Sequence, residues 1–437
     1  MRKSVLFDDG LGLLSPLTDL RPSFAVRTGA LTTRERLQRV LDLDIVALVV
    51  RPDLLDMARS RTNEPPINTL DHLASPPGPI LVLNGRCVLP PIDAIAQLAL
   101  GQRLLEPIAQ SSSASHTARP PHELEAERIV ACLATPAQLA EIVQGRWPRA
   151  TMPDLACDAC LMNRPWHVRT FRDGAIKLDL DLLCKSGAAS ANALPPNCPP
   201  TTIAFGTHPL QISPAARIYP GVILDLEHGP IVIDEHATIR PGVTLIGPVY
   251  VGPHSTILDR ALIKSNTAIG DHCKVAGEIG GTIFHGFSNK AHDGHLGDSW
   301  IGKWSNLGAG TTNSNLLNTY ADVTMRPALH ASLEHTGLQF MGCILGDHVK
   351  TAICTRIMTG TIINLGAMIA TTTPATGTVP SFSWCTDESP RGEKTFRLDK
   401  FLQIARTVAA RRKLTLSPAY EAALGVLHAR RAGVTRA

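Results

Sequence analysis

Aromatic side chains are scarce in this sequence, 4% of 437 residues, whereas Gly (34) and Pro (33) are plentiful. So many helix breakers exclude a coiled coil and point to a repetitive, turn-rich β fold. Long apolar runs are missing too. The longest, such as Ile45 to Val50, fall far short of the ~20 residues that span a bilayer. The opening, MRKSVLFDDG, meets an acidic pair after a few apolar residues, which is not a secretory signal. There is no dense cysteine framework. Ten cysteines lie scattered, which suits a reducing cytosol, so a cytoplasmic location is expected. Charge of either sign is nearly balanced, with 42 Lys and Arg against 38 Asp and Glu. The excess sits at one end: Arg391 to Ala437 holds 11 basic and three acidic residues. A basic tail on a slightly acidic body argues against a general nucleic-acid binder. The tail either meets a phosphorylated small ligand or forms a solvated helix face.

What is present is a repeat. Every sixth residue from Ile233 is aliphatic: Ile233, Ile239, Leu245, Val251, Ile257, Ile263, Ile269 and Val275. Leu345, Thr351, Ile357, Ile363 and Ile369 form a second run, with Ile301 and Leu307 at the same spacing between. Period six fits neither a helix nor an alternating strand. It fits a coil of three short strands, each sending one aliphatic side chain into a triangular core. Such a core closes only when coils stack. The repeat predicts a left-handed parallel β-helix over residues 203–374. Between Gly277 and Leu296 the period fails, which predicts a loop or a site there.

Residues 1–185 read differently. Val5–Phe7, Ile45–Val50 and Ile80–Leu83 read as buried strands. Thr32–Leu43 reads as a helix, with Thr32 as N-cap and Glu35 completing a capping box. Pro91–Leu105 and Glu123–Leu133 also read as helices. The alternation predicts an α/β, Rossmann-like domain with a parallel sheet. Ser111–Pro121 reads as a low-complexity surface loop and residues 186–202 as a Pro/Ala/Ser-rich linker. Beyond the β-helix, residues 375–437 form a basic tail in which Leu398–Arg412 and Pro418–Arg431 read as helices.

Chemistry concentrates in one stretch. Lys290-Ala-His292-Asp-Gly-His295-Leu296-Gly297-Asp298 is followed by Ile301-Gly302 and by Asn306-Leu-Gly308-Ala309-Gly310-Thr-Thr-Asn-Ser-Asn315. It resembles the acetyltransferase half of the bifunctional N-acetylglucosamine-1-phosphate uridylyltransferase/glucosamine-1-phosphate acetyltransferase family. That family carries K-x-x-H-L-[ST]-Y-L-G-D and then I-G-x-x-x-N-I-G-A-G-T-x-x-x-N. Anchored on Leu296-Gly297-Asp298, the resemblance puts the catalytic histidine at His292 and the site asparagines at Asn306 and Asn315. Acyl transfer to a sugar amine needs a base, and an imidazole, with its pKa of about 6.5, serves near neutrality. Backbone N–H groups around Gly308–Gly310 are expected to hold the thioester oxyanion. The resemblance also implies Lys290 as an acyl-CoA or sugar contact, one place beyond the family's lysine position, which falls on Asn289. His295 and Leu316 stand where the family has tyrosines. His285 and His295 read as bland.

The N-terminal part resembles sugar-1-phosphate nucleotidylyltransferases more loosely. Leu14-Ser-Pro16-Leu17-Thr18 with Arg21-Pro22 matches L-x-P-L-T-x-x-x-P, and Leu81–Arg86 matches the L-V-L-x-G-D strand end. Phe7-Asp8-Asp9-Gly10-Leu-Gly12-Leu13 replaces the Gly-rich triphosphate loop, Ser23 a lysine, and Arg86 the Mg²⁺-binding Asp. Putting a cation for a metal carboxylate inverts the local charge. The whole pattern is similar to a divergent group of two-domain homologues labelled sugar nucleotidyltransferases, sharing Phe7–Asp9, Pro16–Pro22, Asn84–Arg86, Ser288–Gly294 and Pro380–Trp384. The resemblance makes Asp8, Asp9, Arg21, Arg27 and Arg86 candidate nucleotide or phosphate contacts.

Two metal readings stay open. Cys157-x-x-Cys160, with Cys184 and Cys198 downstream, is one thiol pair where a zinc site usually shows two. The three histidines at 285, 292 and 295 also allow a metalloenzyme of the β-helical carbonic-anhydrase type. The resemblance implies a transferase of nucleotide-sugar biosynthesis. It would acetylate an amino-sugar 1-phosphate with acetyl-CoA on the β-helix. An N-domain binding UTP or dTTP, Mg²⁺ and a sugar 1-phosphate, and a homotrimer with no nucleic-acid or membrane partner, are also implied. The alternatives are a nucleotidyltransferase whose β-helix only trimerises it, and a ligand-sensing scaffold without turnover.

Overall fold

The computed structural model describes residues 1–69, 78–107, 125–186, 194–196, 198–390 and 392–434. The predicted surface loop 111–121 and part of the predicted linker, residues 187–193 and 197, lie outside the described residues. The chain divides into two compact units. One comprises residues 1–26, 31–167 and 416–424; the other comprises 27–30, 168–415 and 425–437.

The first unit is built on a six-stranded sheet: β1 (Arg2–Phe7), β2 (Leu43–Val49), β3 (Ile80–Asn84), β4 (Arg103–Leu105), β5 (Ile129–Ala134) and β6 (Leu155–Ala156), in the order β2-β1-β3-β5-β4-β6. β1 pairs in parallel with β2 and β3. β5 runs antiparallel to both β3 and β4. The sheet is therefore mixed, not parallel throughout. Helix α1 (Thr33–Val40) starts as its sequence dictates: the Thr32 side chain accepts from Glu35 N–H, and Glu35 returns the bond to Thr32 N–H. Short helices α2 (Leu55–Arg59) and α3 (Ile92–Ala96) and the longer α4 (Pro136–Val143) complete the unit.

Two helix expectations fail here. Pro91–Leu105 is helical only over Ile92–Ala96 and ends in β4, and Glu123–Leu133, of which residues 123–124 lie outside the described residues, runs into β5 at Ile129. Ile-Val-Ala-Cys-Leu-Ala at 129–134 is an apolar run buried on both sides. Such a run looks alike in a central strand and in a buried helix.

The second unit is a prism of parallel strands. Its first face holds six strands, from Ile203–Gly206 to His295–Gly297. The second holds nine, from Leu210–Ile212 to Thr378–Val379, and the third nine, from Arg217–Ile218 to Trp384–Thr386. The eight residues of the first aliphatic run are each at most 1% exposed, in one continuous core. The strands continue past 374 for one more coil, because Thr378–Val379 and Trp384–Thr386 still pair with the coil beneath.

The failed period at 277–296 is not a loop. Strands Glu278–Gly280, Ile283–Gly286, Asn289–Lys290 and His295–Gly297 stay in register there. That coil is only shorter: Ile269 pairs with Phe284, whereas Val251 pairs with Ile269. The true excursion comes later, between strands Thr312–Asn313 and Cys343–Leu345. It carries an antiparallel pair, Thr324–Met325 with Glu334–His335.

One corner repeats a left-handed residue in coil after coil: His236, His254, His272, Phe287, Trp304 and His348, all with φ between 54° and 63°. Their rings stack in a column, with centroids 4.9, 4.7, 4.6, 4.6 and 6.3 Å apart in turn. Parallel strands lie about 4.8 Å apart, so most steps match one strand spacing. The column is capped by Phe401 of helix α7 (Leu398–Ala410), which meets His348 at 5.6 Å. α7 is preceded in the chain by α5 (His167–Thr170) and α6 (Arg172–Ser186) and followed by α8 (Pro418–Val434).

Candidate functional site

His292 lies on the turn between the third-face strand Asn289–Lys290 and the first-face strand His295–Gly297, and it is exposed. None of the described residues hydrogen-bonds its ring. The turn is pinned from within. Lys290 pairs in register with Val275 and occupies its inward position, 1% exposed. Its Nζ donates to His292 O at 2.7 Å and to Ala276 O at 3.5 Å. Burial, countered in part by Asp293, lowers the Lys290 pKa to about 8. Lys290 is thus a core residue that shapes the turn, and its amine does not face a ligand on the surface.

The rest of the motif is largely a clamp. Asn313 is 6% exposed, accepts from Gly297 N–H at 2.8 Å and donates to Gly297 O at 2.9 Å. Asn315 Nδ2 donates to Asp298 Oδ2 at 2.8 Å. Asp298 Oδ1 accepts from Arg172 at 2.6 Å and forms an ion pair with Arg169, whose Nε lies 2.9 Å away. These two arginines tie α6 and its approach to the prism, so the helix counts with the second unit although it precedes the 186–202 segment. Gly308 leaves no room for a Cβ, which would stand 2.5 Å from the Ala352 backbone. Its N–H donates to Thr351 O and Oγ1, and Gly310 N–H donates to Asp293 O. Ala309 O accepts from Cys354 N–H. The two glycine amides expected to hold an oxyanion are therefore spent on the coil. Asn306 is exposed on the third face, its Oδ1 3.3 Å from Asn289 Nδ2.

Sequence reasoning passed over His295. Its Nδ1 lies 3.4 Å from Glu278 Oε1, which also takes Lys264 Nζ at 2.5 Å. Lys264, aided by His295 and opposed by burial, holds the Glu278 carboxyl below its usual value. The imidazole is oriented by a carboxylate, with Nε2 next to Gly297 and Asn315; a Cβ on Gly297 would stand 2.7 Å from both side chains. No signal in the sequence marks it: Glu278 and His295 take equivalent outward places on successive strands, and only the stacking of coils brings them together.

In the first unit the expected phosphate contacts are consumed. Arg86 is fully buried and grips Asp9 through Nε at 2.9 Å and Nη2 at 2.8 Å; it also donates to Glu127 O and to the Asn163 side chain. Burial works to lower its pKa, but Asp9 overrides this and raises it. Asp9 also accepts from Asn84 Nδ2 and Leu11 N–H. Asp8 is 4% exposed, bonds Ser23 Oγ at 2.8 Å and lies 3.6 Å from Arg51; burial outweighs Arg51 and raises its pKa. Arg21 donates to Leu17 O. Arg27 belongs to the second unit, where it donates to His285 O, lies 3.9 Å from Asp271 and accepts from Trp300 Nε1 through its carbonyl. A divalent cation does not fit beside Asp9, because the guanidinium of Arg86 already neutralises that carboxylate.

The thiol pair lies beside a third cysteine. Cys160 Sγ is 3.9 Å from Cys87 Sγ. The Cys157 thiol is pushed up by its bond to Cys160 and by burial. Cys160 is raised as well, since Cys87 and burial outweigh the opposing effect of Cys157. Cys184 and Cys198 are free and half-buried. Among the described residues no group of three or more His, Cys, Asp or Glu can hold a metal ion, and no helix is long and apolar enough to cross a membrane.

Residues 4–187 match the family described as "Sugar nucleotidyl transferase". A "Bifunctional protein GlmU" of Methanococcus vannielii is 27% identical over 120 residues, covering 28% of this chain and 27% of that protein. A "Bifunctional sugar-1-phosphate nucleotidylyltransferase/acetyltransferase" of Sulfurisphaera tokodaii is 29% identical over 147 residues, covering 32% and 35%. The chain thus matches only about a third or less of the length of these relatives. Among solved structures, a UDP-N-acetylglucosamine acyltransferase of Francisella novicida shares 14% identity at a TM-score of 0.18, covering 47% of this chain and 76% of that one.

Proposed function

We propose that the prism transfers an acetyl group from acetyl-CoA to the nitrogen of an amino-sugar 1-phosphate, with His292 as the base. The observation that carries this reading is the exposed imidazole, with no bonded partner among the described residues, on a turn fixed from inside by Lys290 and by Gly310 N–H, which donates to Asp293 O. Such a ring can take a proton as the amine nitrogen bonds to the thioester carbon. The C–S bond then breaks, and the same proton can go to the departing CoA sulfur. Asn306, exposed nearby in sequence, is the polar contact we assign to the sugar or the acyl carrier.

The first unit binds a nucleotide or sugar 1-phosphate in this reading, without Mg²⁺-assisted transfer. The buried Arg86–Asp9 pair favours that over a working UTP- or dTTP-dependent nucleotidyltransferase. A homotrimer in the cytoplasm completes the proposal. The test is mass-spectrometric: wild-type protein incubated with acetyl-CoA and a panel of amino-sugar phosphates should give a product heavier by one acetyl group. His292→Ala should lower the rate by about 100-fold or more with an unchanged melting temperature. Full transfer by that variant would end the mechanism. Pyrophosphate release from UTP or dTTP without acetyl transfer would favour the nucleotidyltransferase reading instead.

A further inference from the structure

The outward side of the third face carries an unusual row. Register pairs Lys274 with Asn289, Asn289 with Asn306, and Asn306 with Lys350 on successive strands. These four point away from the core, because their neighbours Val275, Lys290, Leu307 and Thr351 point inward. The row is polarised. Arg412 donates to Asn289 Oδ1 at 2.7 Å, and Asn289 Nδ2 donates to Asn306 Oδ1 at 3.3 Å. Each amide thus has its oxygen taken, and the relay ends at Asn306, whose register partner on the next strand is Lys350.

The row offers donors and three cations, Lys274, Lys350 and Arg412, and it contains no carboxylate. The nearby Asp271 faces Arg27. Lys350 is half-buried, and burial alone brings its pKa down to about 8. Two strands further along the same row, past Met368, is Trp384, 37% exposed and stacked on Phe396 at 4.8 Å. Two strand spacings are about 10 Å.

We propose that this row is a binding site for a phosphate-bearing ligand, held by Asn306, Lys350 and Lys274 with Arg412 at its edge. A phosphate supplies the acceptors that the relay lacks and the counter-charge that a half-buried ammonium lacks. An indole about 10 Å away suits a ligand carrying a flat ring beyond its phosphates, as a nucleotide does. The site shares Asn306 with the acyl-transfer reading but needs no turnover, so either can fail while the other stands.

The test is calorimetry on the full chain at pH 8.5 in two buffers of different ionisation enthalpy. The probes are pyrophosphate, coenzyme A and glucosamine 1-phosphate, with glucose as the phosphate-free control. Phosphate-bearing probes should bind and take up protons as Lys350 becomes charged; glucose should not bind. A ring-bearing source is marked by coenzyme A binding more tightly than pyrophosphate, with the difference lost in Trp384→Ala. Equal affinities would overturn the ring contact. Lys350→Gln should weaken binding at least about tenfold, and Lys350→Arg should retain binding but lose the proton uptake. Unchanged melting temperatures in both variants certify the fold. Equal affinity in Lys350→Gln, or no binding of any phosphate probe at millimolar concentration, would overturn the site.

Discussion

Compare the Arg86 node of the first unit with the His292 turn of the second. Both lie where the sequence resembles a catalytic motif. At the node every charged group is matched: Arg86 to Asp9, Asn163 and a carbonyl, and Asp9 to Asn84 and a backbone N–H. At the turn the bonds belong to supporting groups, and the imidazole has none among the described residues. Chemistry requires groups with capacity to spare. A motif that has exchanged its metal carboxylate for a guanidinium has turned a reactive position into a fastening. A motif that keeps its histidine outside the fastening retains the means to react.

Three changes sharpen the contrast. The largest effect is expected from Arg86→Ala, which strands Asp9 in a buried, uncharged setting. Removing one partner of a buried pair costs about 3–5 kcal/mol. Calorimetry should show the first unit melting much earlier, while the prism's transition stays in place. A variant with both transitions unmoved would mean that the node is not structural.

Next is acid sensitivity. Burial lowers the His167 pKa to about 4, despite the opposing bond to Leu161 O. The unfolded chain therefore binds this proton more readily than the folded one, starting near pH 6.5. Stability from this residue is intact above about 6.5 and is lost progressively as pH falls toward 4, by about 1–3 kcal/mol. Urea titrations of His167→Gln should show a flatter profile between pH 6.5 and 4. An equally steep profile would place the acid sensitivity elsewhere.

The smallest effect on folding is expected from Lys290→Met. An apolar chain of similar length suits the core, so stability should change by less than about 1.5 kcal/mol. The turn loses its bond to His292 O, however, and acetyl transfer should fall severalfold with little change in KM for acetyl-CoA. Unaltered turnover would separate the turn's shape from its chemistry.

Much of the prism could be read from the chain because one physical demand repeats. Each coil must bury an aliphatic side chain on each face, and Ile233 through Val275 announce it eight times. The same repetition hid the exceptions. The gap at 277–296 read as a loop or a site because the coil there is shortened, Ile269 pairing with Phe284, and because Lys290 takes an aliphatic place, its methylenes filling the core while its amine bonds to carbonyls. The true excursion, after Asn313, was masked because the sixfold spacing resumes unaltered at Leu345. Composition could not separate helix from strand at Ile129–Ala134, where burial is two-sided. In the candidate site the position of His292 was legible, but the use of the glycine amides was not, since their partners Thr351 and Asp293 are brought in by stacking. Glu278 beside His295 was equally invisible, because the pairing exists only between coils.

The ring column has a consequence for how this chain tolerates changes of length. From His272 to Phe287 it crosses the shortened coil, and from Trp304 to His348 it passes the long excursion, without losing its left-handed corner. Residues have been gained and lost at the other two edges of the prism only. The column acts as a spine that counts coils, and a graft or deletion that respects it changes the height of the stack while leaving its twist alone.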